Sequence, residues 1–176
     1  WYKNNQDGTF ASKVEIANTL SGVLDVILVD LNNDTFLDIL AAGTSNSKLV
    51  WFSNDGAGSF SQEKVISNAV GGISNIAVGT IDGDSTIDIM VTAYSIDEVL
   101  WFSNDGAGNF TPGSNKVDDT LDGPNHISLK DVDNDGDLDA LVATAVGPSP
   151  PQSEIQLFIN DLVPGGTVSF AKDGGS

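Results

Sequence analysis

The chain has 176 residues, of which 40% are hydrophobic, and a formal net charge of −18 that arises from 25 Asp and Glu against seven Lys and Arg. This charge disfavours nucleic acids and anionic membranes as partners, and no apolar run approaches the ~18 residues of a membrane span. Cysteine is absent, which excludes a disulfide framework and thiol chemistry. We therefore expect no nucleic-acid partner and no membrane insertion.

One short phrase recurs along the chain with a spacing of 50 residues: Trp1-Tyr2-Lys3-Asn4, Trp51-Phe52-Ser53-Asn54 and Trp101-Phe102-Ser103-Asn104. The second and third copies open the decamers WFSNDGAGSF and WFSNDGAGNF, which differ at a single position. A fixed period in this range indicates a solenoid, a propeller or another repeat array.

The predicted elements follow the same order in each unit. Residues 1–17 contain the aromatic phrase and one further strand, so they predict two strands. Each later unit predicts four: an alternating apolar strand, a strand after an acidic loop, the aromatic phrase, and a strand after an Asn-Asp-Gly-Ala-Gly turn. The first strand of each unit is exemplified by Val26–Val29, Ile76–Gly79 and Ile127–Lys130, and the fourth is predicted to start at Phe60, Phe110 and Phe170.

Four antiparallel strands in about 50 residues are typical of one propeller blade. The sequence therefore predicts an all-β chain, residues 1–176 being one β-propeller segment. A half blade at 1–17 precedes complete blades at 22–68, 72–118 and 123–171. Because propellers close with about 4–8 blades, we expect a larger propeller, completed by the remainder of a longer chain or by neighbouring subunits.

An acidic loop separates the first two strands of each complete unit: DLNNDTFLD from Asp30, TIDGDSTID from Thr80 and DVDNDGDLD from Asp131. These loops hold 11 of the 25 carboxylates. Hard oxygen ligands at alternate positions suit Ca²⁺. A merely solvated acidic surface would spread its charge and would not repeat it at a fixed interval.

The DxDxDGxxD loop, followed by an apolar strand and a W-F-x-N-D-G-x-G-x-F hairpin, resembles the FG-GAP/VCBS repeat. That repeat builds the integrin-α-type β-propeller, which usually has seven blades. The resemblance implies a calcium-stabilised propeller in a secreted or cell-surface protein, often one that acts in adhesion or glycan recognition. It also implies that the side chains at loop positions 1, 3, 5 and 9 and the carbonyl of position 7 bind the cation.

Carried onto this chain, the resemblance gives up to three Ca²⁺ sites. The first comprises Asp30, Asn32, Asp34, the carbonyl of Phe36, and Asp38; the second comprises Thr80, Asp82, Asp84, the carbonyl of Thr86, and Asp88; the third comprises Asp131, Asp133, Asp135, the carbonyl of Asp137, and Asp139. Thr80 offers at most a hydroxyl. We expect the ions to be mainly structural rather than sensory, and the third loop to bind most tightly.

The repeated aromatic residues Trp51 and Trp101 have two interpretations, packing between blades or stacking on sugars, and their blade spacing favours packing. His126 is the only histidine, and it aligns with Asp25 and Asn75 at the start of the first strand of each unit. These three polar residues would either line a ligand site or face solvent.

With one histidine and no cysteine, nucleophilic catalysis has little to work with, and we expect no enzymatic activity. The sequence favours a calcium-binding propeller module for extracellular or cell-surface recognition and adhesion, with a protein or glycan ligand. Two alternatives remain open: a structural scaffold, filament or surface component without a discrete ligand, and the non-catalytic propeller of a larger polysaccharide-active enzyme.

Overall fold

The computed structural model describes residues 1–111, 115–145, 153–162 and 168–173. Within these ranges the chain forms twelve strands and a single 3₁₀ turn, Thr44–Asn46. The strands are β1 Val23–Val29, β2 Asp38–Gly43, β3 Lys48–Phe52, β4 Lys64–Ser67, β5 Ile73–Gly79, β6 Asp88–Ala93, β7 Glu98–Phe102, β8 Asn115–Asp118, β9 Pro124–Lys130, β10 Asp139–Thr144, β11 Ile155–Asn160 and β12 Phe170–Lys172. Among the described residues, no helix is long and apolar enough to cross a membrane.

The strands form three four-stranded antiparallel sheets, in the orders β1-β2-β3-β4, β5-β6-β7-β8 and β9-β10-β11-β12. The register repeats as well: Val26 pairs with Ala41 in the first sheet, and Ile76 pairs with Val91 in the second. Each first strand also carries an irregularity at its start, for example between Val23 and Asp25. The prediction of an all-β chain with four antiparallel strands in each complete unit is therefore confirmed.

The sheets pack face to face in chain order. Leu40 and Trp51 of the first sheet lie in one buried cluster with Ile89 and Phe102 of the second sheet. On the opposite face of the second sheet, Trp101 joins a cluster with residues of the third sheet. Successive side chains of a strand point to opposite faces of its sheet. Because the residues on both faces of the second sheet are apolar, this sheet packs against both of its neighbours. Trp51 is 2% exposed and Trp101 is 7% exposed, so packing between sheets is confirmed as the role of both rings.

The fourth strand begins later than the sequence predicts. Phe60 and Phe110 form single bridges with Asn54 and Asn104, and regular pairing resumes only at β4 and β8. In the first sheet the backbone N–H of Ser53 donates to the hydroxyl of Ser61, at 2.9 Å. That side chain takes the place of a backbone acceptor and interrupts the ladder. The third sheet differs, since β12 does begin at Phe170.

Residues 1–17 form a hairpin rather than the two regular strands predicted. One bridge joins Asn4 to Phe10, and the N–H of Val14 donates to the carbonyl of Trp1 at 2.9 Å. In the complete sheets the strand equivalent to residues 1–4 is held from its other side by a second strand. Within the described residues no such strand flanks Trp1, which explains the irregular pairing.

An apolar sheet face lies exposed at each end of the stack. In the first sheet Val26 is 53% exposed and Leu28 is 60% exposed, whereas Ile76, at the position equivalent to Val26, is 4% exposed. The exposed face borders a cavity of about 500 Å³, which Trp1 and Ile16 also line. In the third sheet Ile155 is 76% exposed. The alternation of apolar residues is as predicted, but no described sheet covers these two faces.

Candidate metal-binding loops

The three acidic loops occupy equivalent places in the three sheets. Each follows the first strand, at residues 30–38, 80–88 and 131–139, and its last Asp is the first residue of β2, β6 or β10. The hairpin after the third strand lies at the same edge, because the strands are antiparallel. Loop and hairpin are therefore neighbours in every sheet, and several hydrogen bonds join them.

The last Asp of each loop is fully buried and cross-links the loop to the hairpin. Asp88 is 0% exposed; its Oδ2 accepts the N–H of Ile81 at 2.9 Å and its Oδ1 accepts the N–H of Asn104 at 2.9 Å. Asp38 and Asp139 make the equivalent pairs of bonds. Burial raises the pKa of Asp38, and it raises the pKa of Asp88 to about 6. This position was predicted only as a metal ligand, and the structure gives it a second role in holding the loop.

The third loop brings three carboxylates together. Oxygen atoms of Asp131, Asp133 and Asp139 all lie within 4.8 Å of one another. Asp135, which was predicted to join them, is exposed, and its Oδ1 accepts the N–H of Asp137 at 3.1 Å. Three convergent oxygen donors in a loop with no nitrogen or sulfur ligand fit a hard divalent cation.

Negative charge is crowded around this cluster. Burial and the nearby charges of Asp135, Asp139 and Asp131 raise the pKa of Asp133. Burial, followed by the negative charge of Asp135, raises the pKa of Asp137 to about 6. The side chain of Asp137 accepts the N–H of Leu162 at 2.9 Å, so it contacts the neighbouring hairpin. A bound cation would favour the ionised form of every one of these carboxylates.

In the first loop the side chains turn toward the loop's own backbone. Asp30 accepts N–H groups of Asn32, Asp34 and Thr35, the last at 2.7 Å. The amide of Asn32 donates to Asp34 at 2.8 Å, where a ligand would present its oxygen instead. Asp30, Asp34 and Asp38 do not form a cluster of the kind seen in the third loop, so this site is less complete.

In the second loop, hydrogen bonds to neighbouring residues hold the carboxylates. Asp82 accepts the hydroxyl of Ser103 at 3.0 Å, and Asp84 accepts the N–H of Thr86 at 2.8 Å. Thr80 lies half-buried between β5 and the loop. The carboxylates of Asp82 and Asp84 are thus held in place by neighbours, but no cluster of three acids forms among the described residues of this loop.

Loop position 6 has a positive φ in all three loops. Thr35, Ser85 and Gly136 have φ values of +74°, +74° and +102°. These are values that glycine adopts freely and that a β-branched residue rarely adopts. Gly136 therefore suits its loop, whereas Thr35 is strained.

The asparagine of the repeated aromatic phrase also contacts the loops, a role that sequence reasoning missed. The Asn104 amide donates to the carbonyls of Ile87 and Leu31, each at 2.9 Å. The sequence pattern indicates only a hairpin turn for this residue. The available signal was its recurrence in step with the acidic loop at a spacing of 50 residues.

The polar residues near the start of the first strands link neighbouring sheets. Oδ2 of Asp25 accepts the N–H of Ile76 at 2.8 Å, and Oδ1 of Asn75 accepts the N–H of Ile127 at 2.9 Å. Neither the ligand-site nor the solvated interpretation describes these two residues. His126, at the equivalent position in the third sheet, is exposed.

Three four-stranded sheets, stacked face to face and each carrying an acidic loop at the same edge, define a β-propeller-like module. The profile of the FG-GAP-like repeat matches residues 30–91 and 81–142. The chain belongs to the FG-GAP-like repeat family, which confirms the resemblance drawn from its motifs. A comparison with curated proteins finds no significant match.

Proposed function

We propose that this chain is a calcium-binding β-propeller module in which Ca²⁺ is mainly structural. The observation that carries the proposal is the convergence of Asp131, Asp133 and Asp139 in a loop that offers only oxygen ligands. Calcium takes six to eight oxygen ligands in flexible geometry, whereas Mg²⁺ demands a stricter octahedron and keeps its water. A loop of side-chain and backbone oxygens therefore favours calcium.

Up to three ions would bind, one to each acidic loop. In each loop Asp38, Asp88 or Asp139 would combine with the carboxylates that precede it. Ca²⁺ supplies positive charge that neutralises the carboxylates, and three ions would bring the net charge from −18 to about −12. The chain's own residues position the ligands. The buried Asp holds the loop against the hairpin, and the turn at position 6 orients the carbonyl that follows.

The loops differ in what they offer, and the third should bind most tightly. It combines three convergent carboxylates with Gly136 at the turn, while the first contains Asn32 and the strained Thr35. Affinity in such loops follows ligand charge and rigidity, and extracellular modules bind at about 10⁻⁴–10⁻³ M. An extracellular or cell-surface location, where calcium is abundant, fits sites of this strength.

Isothermal titration with CaCl₂ tests the proposal. Asp133→Asn removes one charge from the cluster, and Asp122→Asn removes one charge from an exposed position outside the loops. We expect Asp133→Asn to abolish the tightest binding event and Asp122→Asn to retain it. Equal effects of the two substitutions, or no calcium binding by the unmodified chain, would overturn the calcium proposal.

The exposed end faces support a larger assembly of blades. Val26 and Leu28 at one end, and Ile155 at the other, are exposed. In the second sheet the residues equivalent to Val26 and Ile155, which are Ile76 and Val99, are buried, and Val78, equivalent to Leu28, is half-buried. We infer that further repeats cover them, supplied by a longer chain or by neighbouring subunits. Sedimentation velocity of the 176-residue chain should reveal self-association that Leu28→Asp weakens. A monomer at all concentrations would exclude neighbouring copies of this chain as the cover.

The completed propeller would act in recognition or adhesion, with a protein or glycan as ligand. The end faces favour one alternative, a scaffold or filament in which copies join end to end. Head-to-tail contacts between two different faces form rings or open filaments rather than a two-fold dimer. A glycan array together with negative-stain microscopy separates the two. Specific glycan binding by discrete particles supports recognition, and filaments without ligand binding support the scaffold.

A further inference from the structure

We propose that Asn104 and Asn160 are positioning residues, each of which fixes the metal loop of the preceding sheet as well as that of its own sheet. The proposal rests on the calcium function argued above and assigns to these amides the coupling between successive sites. They are not themselves ligands. They act through the backbone of the loops they hold.

Asn104 touches two loops at once. Its side chain is 2% exposed, and its Nδ2 donates to Ile87 of its own loop and to Leu31 of the loop in the preceding sheet, at 2.9 Å each. Its backbone N–H donates to Asp88. Its Oδ1 accepts the N–H of Gly106 at 3.1 Å, which fixes the direction of both amide hydrogens. The amide is therefore fully used, and half of its donor capacity serves the preceding sheet.

The carbonyl that Asn104 binds lies next to a predicted metal ligand of the preceding loop. Leu31 directly follows Asp30, the first predicted ligand, and its N–H donates to Asp38, the last one, at 3.0 Å. Leu31 is 1% exposed, so no water is available to replace the amide. A second bond runs the other way, from the amide of Asn33 to the carbonyl of Gly106 at 3.2 Å.

The same arrangement recurs one sheet later. Asn160 is 0% exposed, and its amide donates to Ile81 of the preceding loop at 3.0 Å and to Leu138 of its own loop at 3.4 Å. The N–H of Ile81 in turn donates to Asp88 at 2.9 Å. Two independent sheets thus place an amide on the residue that follows the first position of the preceding loop.

Asn54 provides a matched control within the chain. It occupies the same position in the first sheet, and its amide donates to Leu37 of its own loop at 3.0 Å. Residues 1–17 contain no acidic loop for it to reach. Asn54 therefore has the local contact of Asn104 without the contact to another sheet.

Hydrogen exchange of the two loops during a CaCl₂ titration tests the coupling. Mass spectrometry of peptides covering residues 30–38 and 80–88 gives a calcium midpoint for each loop separately. Replacing partners that orient a metal site typically weakens metal affinity by about 10- to 100-fold. We expect Asn104→Ala to raise the midpoint of the 30–38 loop by about 10-fold or more, in addition to any change in its own loop. Asn54→Ala should leave the 80–88 loop unchanged.

The outcomes are distinct. If calcium fails to protect either the 30–38 or the 80–88 loop of the unmodified chain, this inference is overturned. The calcium function itself fails only if a peptide covering residues 131–139 also shows no calcium-dependent protection. If calcium protects both loops and Asn104→Ala changes only the 80–88 loop, the inference alone is overturned. Should Asn104→Ala not fold, Asn104→Ser leaves a smaller cavity, and Asn160→Ala tests the equivalent coupling on the 80–88 loop. An unchanged 80–88 midpoint in Asn160→Ala would also overturn the proposal.

Discussion

The ring of Trp51 lies directly on Gly108, the second glycine of the hairpin in the next sheet. A Cβ built at Gly108 would overlap Cζ2 and Cη2 of the indole, and the residue has φ of +77°. The N-terminal hairpin repeats the relation more loosely, since a Cβ at Gly58 would lie 3.4 Å from Cζ2 of Trp1. The repeated glycine is therefore required by packing between sheets as well as by the turn.

Substituting these glycines separates the two requirements. Gly8 has φ of +87°, and no atom lies within 4 Å of the position that an added methyl would occupy, so Gly8→Ala reports backbone strain alone. Positive φ costs an alanine about 1–2 kcal/mol. We expect Gly108→Ala to lower the free energy of unfolding by more than Gly8→Ala, with Gly58→Ala between them. Urea unfolding measures the order, and equal losses at positions 8 and 108 would refute the packing role.

Truncation of the buried tryptophans should cost stability. Trp51→Ala and Trp101→Ala each remove a ring that lies between two sheets, and such changes cost about 3–5 kcal/mol. Trp1 is 40% exposed, so Trp1→Ala should cost clearly less. Denaturant unfolding of the three variants provides the comparison. A Trp1→Ala loss as large as that of Trp51→Ala would contradict the assignment.

Much of the fold follows from local signals in the sequence. The apolar residues of β1, β5 and β9 recur with period 2, which predicts strands directly. The Asp-Gly turns tolerate positive φ, which predicts hairpins. The turn at Thr35 follows from its alignment with Gly136. The sequence therefore locates the loops and the sheets that carry them.

The remaining features depend on neighbours that are distant in the chain. The second bond of Asn104 reaches Leu31, 73 residues away. The late start of β4 depends on the Ser53 N–H, which donates to the hydroxyl of Ser61 instead of a backbone carbonyl. The carboxylates converge in the third loop but not in the first, and side-chain orientation decides which of them take part. The amide of Asn32 donates to Asp34, and Asp135 accepts the N–H of Asp137 instead of joining the cluster. None of these choices is encoded in residue type or spacing alone.

The strained turn residue of the first loop offers a stabilising substitution. Thr35 is β-branched and has φ of +74°. Thr35→Gly relieves that strain, and we expect the free energy of unfolding to rise by about 1 kcal/mol. Gly136→Ala is the reciprocal change, at φ of +102° with open space around the added methyl, and should lower stability by a similar amount. A destabilising Thr35→Gly in thermal unfolding would contradict this account of the turn.

Acidification should reduce the benefit of calcium. Burial raises the pKa of Asp88 to about 6 in the fold, against about 3.9 in an unfolded chain. Between these values the folded state binds more protons, so the stability that Asp88 contributes to the calcium-free protein falls as pH rises from about 4 to about 6. Calcium requires the ionised carboxylate and competes with the proton.

The gain in melting temperature from calcium should therefore be smaller at about pH 5 than at about pH 7.5. Paired thermal melts with CaCl₂ and with EDTA across this range measure the gain. Because the pKa of Asp137 is shifted in the same direction, the second and third loops can be compared by repeating the series with Asp133→Asn. A gain that is constant with pH would exclude titration of these carboxylates.

The central claim, that the acidic loops are structural calcium sites, is tested most directly by one thermal melt at neutral pH and low salt, with and without EDTA. A site filled at about ten times its dissociation constant contributes about 1.4 kcal/mol, which corresponds to a fall of about 3–6 °C per site on chelation for a chain of this size. We predict such a fall, reversed by adding excess CaCl₂. A melting temperature that EDTA leaves unchanged would contradict the claim.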